Sequence, residues 1–128
     1  MAHASRNRIS PEVLVVDDEA GMLQYLRRAL ELEYCAVETV CSGSAAIDRV
    51  RNGYDPDLIL LDIEMPGLNG LDTLSQLLQF RPELKVVMCS CRDDDDTITR
   101  AHALGAHDYL PKPFRQMQLS DALRRWLH

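Results

Sequence analysis

No stretch of this chain is apolar for anything near the length of a membrane span, and its opening residues, MAHASRNRIS, lack the apolar centre of a secretory signal. A cytoplasmic domain is the expectation, with residues 1–10 as a flexible leader and the folded unit over 11–128. Positive charge is not in excess: 14 Lys and Arg stand against 20 Asp and Glu, a net charge of −6. That balance argues against nucleic acid or an anionic membrane as the direct partner. No second Cys pair and no His cluster at ligand spacing accompany the CSC at 89–91, so zinc is a minor reading. Without a secretory context, Cys35, Cys41, Cys89 and Cys91 are expected to behave as small apolar residues rather than as disulfides. No glycine-rich turn follows the first apolar run, which disfavours a dinucleotide binder. Internal repeats and low-complexity segments are also absent.

What remains is a chain of 128 residues, 46% hydrophobic and 27% charged, long enough to bury the core of one domain. Three short runs, VLVV (13–16), LILL (58–61) and VVM (86–88), do not alternate and are bounded by polar or turn residues. Such runs suit strands covered on both faces in a parallel sheet. AVETV (36–40) alternates, as a strand nearer an edge does, and DYL (108–110) makes a short last strand before Pro111. Helical periods lie between them: residues 20–33, with a stripe of Met22, Leu23, Leu26, Ala29 and Leu30; Ser44–Arg51; a helix capped by Asn69 and stopped before Pro82; 95–104, ended by Gly105; and Gln116–Leu127. Strand and helix alternate five times, which predicts an α/β fold: a doubly wound, flavodoxin-like parallel sheet of five strands in the order 2-1-3-4-5.

In such a sheet, ligands bind beyond the carboxyl ends of the strands, where the strand order reverses. The first strand ends in DDE (17–19) and the third in Asp62, so Asp17, Asp18 and Asp62 are expected at one rim, shallow and open to water. Three carboxylates together repel one another unless a cation lies among them. Oxygen donors with no His or Cys suit Mg2+, and Mn2+ would also fit. The fourth strand brings the hydroxyl of Ser90 to this rim, and the fifth brings the charge of Lys112. A carboxylate nucleophile, a cation, a lysine and a hydroxyl are the parts of an in-line phosphoryl acceptor, with Asp62 as the acceptor. Each residue alone has a plainer explanation: acids at a helix N-terminus, a solvated loop lysine, a turn-forming serine. Their joint placement at one edge is what the plainer explanations do not predict.

VLVVDDE (13–19), PDLILLDIEMPGLNGLD (56–72), VVMCS (86–90) and ALGAHDYLPKPF (103–114) together resemble the receiver domain of bacterial response regulators, from Val13 to the C-terminus. The resemblance implies a phosphoacceptor of two-component signalling rather than a conventional enzyme. Asp62 would take its phosphoryl group from a sensor histidine kinase or phosphotransfer protein, followed by slow autodephosphorylation. Asp18, Asp62 and the backbone carbonyl of Glu64 would hold Mg2+, with Asp17 acting through water. Lys112 would contact the phosphoryl group, Ser90 would be the switch hydroxyl, and Tyr109 the aromatic that moves inward with it. A cis Lys112–Pro113 peptide is also implied. The fourth helix, fifth strand and fifth helix form the face through which the family commonly dimerises or meets an output partner.

Two features are particular to this chain. Cys91 follows Ser90 where the family usually carries Ala or Gly, and is expected to narrow access to the site. Glu64 and Arg92, each two residues past a site residue, are expected to pair across the mouth and impede an attacking water. The acidic run at 93–96 reads as the first turn of a helix, not as a metal site, and Ile98 and Leu104 are that helix's expected anchors. The rival from another class is a metal-dependent phosphohydrolase with an Asp nucleophile, echoed by DIE at 62–64. It is disfavoured by Pro66 and by the lack of any substrate cap in so short a chain.

Overall fold

Apolar runs that do not alternate need cover on both sides, and this one requirement explains the architecture. In the computed structural model, which describes residues 10–92 and 94–127, the elements follow as β1 (Glu12–Val16), α1 (Ala20–Glu31), β2 (Ala36–Val40), α2 (Gly43–Arg51), β3 (Leu58–Asp62), α3 (Gly70–Phe80), β4 (Val86–Ser90), α4 (Asp95–Ala103), β5 (Asp108–Pro111) and α5 (Gln116–Trp126). All neighbouring strands are parallel, in the order β2-β1-β3-β4-β5. This is the doubly wound arrangement expected from the sequence. Apart from Ser10, the leader expected over 1–10 lies outside the described residues, as do Asp93 and His128.

Successive strand residues point to opposite faces, and the core divides accordingly. Leu14, Val16, Ile59, Leu61, Val86 and Met88 pack with Ala46, Ile47, Val50, Leu74, Leu77 and Ala101 of α2, α3 and α4. Val13, Val15, Leu58, Leu60, Val87 and Cys89 pack with Leu26, Leu30, Leu119 and Leu123 of α1 and α5. β3 and β4 are buried at every position, whereas all of edge strand β2 is half-buried, which is why its sequence alone alternates.

Several boundaries differ from the expectation, each for a local reason. α1 stops at Glu31, because Leu32 is the C-cap, 66% exposed, and Tyr34 turns the chain at a φ of 64°. β5 includes Pro111, which an edge strand accepts because the missing N–H costs no internal ladder bond. α4 is anchored by buried Thr97 and Ala101, while Leu104, expected to anchor it, is exposed. Asp94 caps α4 through Thr97 N–H and Oγ1, and Asp95 and Asp96 fill its first turn, so the described part of the acidic run serves the helix end. Cys35 and Cys89 are buried as small apolar residues, but Cys41 and Cys91 fall just past strand ends and are exposed. None of the four is in a disulfide.

Candidate functional site

Residue parity decides which side chains meet at the carboxyl rim. Asp17 and Asp62 continue the register in which Val16 lies beside Leu61, so they are neighbours at the ends of β1 and β3. They share the parity of Val15 and Leu60, facing α1 and α5, and Lys112, two residues past Leu110, shares it too. Ser90 and Tyr109 have the opposite parity, that of Met88, facing α3 and α4. The sheet therefore sorts the rim into an acid–lysine half and a hydroxyl half, divided by the line of β3 and β4.

In the first half, carboxylate oxygens of Asp17, Asp18 and Asp62 lie within 4.8 Å of one another. Lys112 Nζ lies 2.7 Å from Asp17 Oδ2 and 3.3 Å from Asp62 Oδ1. Asp17 is also tied down through Oδ1, which accepts from Glu19 N–H at 3.0 Å. The rim is less open than the sequence suggested. Asp17 is 2% and Asp62 5% exposed, with Lys112 lying against both, and of the three only Asp18 is exposed. Burial pushes the Asp62 carboxyl up to about 6; the charge of Lys112 opposes this, and the charges of Asp17 and Glu64 add to it. For Lys112, burial works against the ammonium, but Asp17 and Asp62 outweigh it and hold the group above its ordinary value. A site of three carboxylates without nitrogen or sulfur donors, two of them buried against one shared lysine, suits a hard divalent cation such as Mg2+.

In the second half, Ser90 Oγ donates to Glu64 Oε1 at 2.7 Å and accepts from Arg92 N–H at 3.0 Å. Arg92 Nε is 3.9 Å from Glu64 Oε2 and 3.5 Å from Asp94 Oδ1, so the expected pairing across the mouth is present but shared with α4. Tyr109, half-buried against the α3–α4 core, donates its hydroxyl to the carbonyl of Arg92. Cys91 stands exposed between these groups. The Ser90–Glu64 bond was not anticipated. Glu64 lies beyond the end of β3, and no sequence pattern dictates where a long side chain in a loop will reach.

A close backbone approach holds α3 against the end of β3. Gly70 opens α3 directly against β3: a Cβ there would meet the carbonyl oxygen of Asp62 and lie 2.6 Å from Ile63 Cα, and Gly70 N–H donates to Ile63 O at 2.8 Å. Only glycine allows the helix to approach β3 so closely. On the other side, the Lys112–Pro113 peptide is cis.

The family model for the response regulator receiver domain matches residues 13–124. The chemotaxis protein CheY of Halobacterium salinarum is 31% identical over 115 residues, 90% of this chain and 95% of that protein. The response regulator MprA of a Mycobacterium species is 36% identical over 90% of this chain, which spans 50% of its length. Among solved structures, a response regulator receiver domain protein from Clostridium thermocellum is 30% identical, with a TM-score of 0.84 over 91% of this chain and 94% of that one. The chemotaxis protein CheY4 of Vibrio cholerae aligns with a TM-score of 0.87 at 25% identity, over 92% and 99% of the two chains. Among the described residues, no helix is long and apolar enough to cross a membrane.

Proposed function

This chain belongs to the response regulator receiver domain family, and from that premise we propose that it accepts a phosphoryl group on Asp62 from a histidine kinase or phosphotransfer protein. The observation that carries the reading is the convergence of Asp17, Asp18 and Asp62 within 4.8 Å, with Lys112 against two of them. Lys112 engages Oδ1 of Asp62, and Oδ2 is the oxygen we assign as nucleophile. It forms a bond to phosphorus as the bond from phosphorus to the donor breaks, and the donor leaves with that bonding pair. Bound Mg2+ would neutralise charge on the transferring group. Both oxygens of Asp17 are already engaged, by Lys112 and by Glu19 N–H, which supports direct ligation by Asp18, Asp62 and the Glu64 carbonyl, and a water-mediated role for Asp17. Once the acyl phosphate forms, Lys112 holds its negative charge from the α5 side, and Ser90 turns to it from the α4 side. Tyr109 follows Ser90, because both are bonded to the two ends of Arg92's backbone. The readout is a change on the α4–β5–α5 face that controls an output partner or dimerisation in the cytoplasm, without direct nucleic-acid contact by this domain. Water attacking the acyl phosphate returns the site to its resting state slowly.

Incubation with acetyl phosphate and Mg2+, followed by intact mass and size exclusion, tests this. Wild type should gain one acid-labile phosphoryl group and Asp62→Asn none. Multiple turnover of small phosphate esters, or labelling that survives Asp62→Asn, overturns the reading.

A further inference from the structure

The hydroxyl of Ser90 has one proton to give, and Glu64 already holds it. The 2.7 Å separation from Oγ to Glu64 Oε1 is that of a charge-assisted bond, and Ser90 is 0% exposed. The Glu64 side chain keeps 44% of its surface in solvent, so its carboxylate reaches in from water to hold the serine hydroxyl. After transfer to Asp62, a phosphoryl oxygen needs the same proton. Two anions compete for one donor, and they bind it in two different conformations.

We propose that Glu64 is a positioning residue that competes with the phosphoryl group for the Ser90 proton, holds the unphosphorylated arrangement, and so sets the affinity of the Asp62 site for a phosphoryl group. This rests on the reading of Asp62 as the phosphoacceptor. The competition reaches further than Ser90. Arg92 N–H donates to Ser90 Oγ, and the carbonyl of the same residue accepts from Tyr109, so the stretch 90–92 is held between Glu64 on one side and Tyr109 on the other. Turning Ser90 toward Asp62 removes the donor from Glu64 and disturbs the Arg92 backbone to which Tyr109 is tied. An interaction made in one state only is what shifts a two-state balance. The Glu64 bond is made only in the resting state, so it opposes phosphorylation by its full strength.

The experiment is Mg2+-dependent binding of beryllofluoride, a small phosphoryl mimic, measured calorimetrically on wild type, Glu64→Ala, Ser90→Ala and the double variant. Glu64 is a half-exposed loop residue, and Ser90→Ala removes only a hydroxyl, so all four fold. Glu64→Ala should bind about tenfold more tightly than wild type, the worth of a hydrogen bond to a charged group. In the Ser90→Ala background the same substitution should change the affinity by less than about twofold, because the shared proton is gone. An equal gain in both backgrounds would mean that Glu64 acts by charge repulsion alone, which overturns the proposal, as does no gain in either. No beryllofluoride binding by wild type removes the phosphoacceptor reading itself, and the competition with it.

Discussion

Lys112 stands closer to Asp17 than to Asp62. Its Nζ is 2.7 Å from Asp17 Oδ2 and 3.3 Å from Asp62 Oδ1, and the lysine side chain is 8% exposed. One cation thus serves two buried carboxylates in the resting site. It satisfies neither fully, since two negative charges face one positive charge. Burial pushes the Asp62 carboxyl up, and the neighbouring charge of Asp17 adds to it; a divalent ion or a rearrangement around a phosphoryl group would offset that charge.

Lys112→Ala should therefore destabilise the metal-free protein by about 3 kcal/mol at neutral pH, the usual cost of stranding a buried charge. Saturating Mg2+ should restore part of the loss, because a cation bound only by the folded site stabilises it by mass action. Urea unfolding with and without Mg2+ checks both. A metal-free variant as stable as wild type would mean that the lysine leaves these acids unaided.

The raised Asp62 carboxyl gives a pH signature. Its folded value of about 6 lies above the ordinary 3.8, so the folded state binds the proton more tightly than the unfolded chain does. The favourable contribution is fully present below about pH 4 and is lost as pH rises through 6. Relative to Asp62→Asn, wild type should lose on the order of 1–3 kcal/mol of metal-free stability between pH 4 and 7. Mg2+ should flatten the difference by favouring the ionised carboxylate. A difference that stays constant across this range would place Asp62 in a more polar environment than its burial indicates.

Gly70→Ala tests the packing of α3 on the end of β3. Its Cβ would meet backbone of Asp62 and Ile63, which cannot give way as a flexible side chain would. The expected cost is about 2–4 kcal/mol, with beryllofluoride binding weakened as the end of β3 is displaced. Gly21→Ala is the contrast. Nothing lies within 4 Å of a Cβ there, so the helix should gain up to about 1 kcal/mol. Equal effects at the two glycines would contradict the close approach.

The division between what was legible in the sequence and what was not follows the range of the interactions. Strand runs, the Asn69 cap and the acids at the ends of β1 and β3 are local patterns repeated on a sheet, and the parity of the sheet carries Asp17, Asp62 and Lys112 to one place. The cap is formed as expected, with Asn69 Oδ1 accepting from Asp72 N–H at 2.9 Å. The anchors of α4 are not its large apolar residues: Leu104 is exposed, and the helix buries Thr97 and Ala101, small side chains that carry no strong hydrophobic signal in the sequence. The rim is more closed than its carboxylates alone suggest, because Lys112, far from them in the chain, lies against Asp17 and Asp62. The bond from Ser90 to Glu64 depends on the rotamer of a loop side chain, and that is a property of three-dimensional packing alone.

Arg92 offers the last test, because its two roles differ in size. The side chain is 58% exposed and stands 3.9 Å from Glu64 Oε2, a distance and an exposure at which an ion pair contributes little to folding. Arg92→Ala should change unfolding stability by less than about 0.5 kcal/mol. Its effect on the phosphorylated protein should be larger in relative terms. On the proposed reading, Arg92 and Glu64 together cover the hydroxyl side of the mouth, so removing the guanidinium should leave Glu64 free to move into water and let a water molecule reach the acyl phosphate. The phosphoryl lifetime, followed by loss of label after the donor is removed, should shorten by about two- to fivefold, the rate equivalent of an interaction worth up to about 1 kcal/mol. Glu64→Ala should shorten it less than Arg92→Ala does, because losing Glu64 also releases Ser90 to hold the phosphoryl group. The order of those two lifetimes separates a steric cover from a competitor for the serine proton, and an Arg92→Ala lifetime equal to that of wild type would remove the cover.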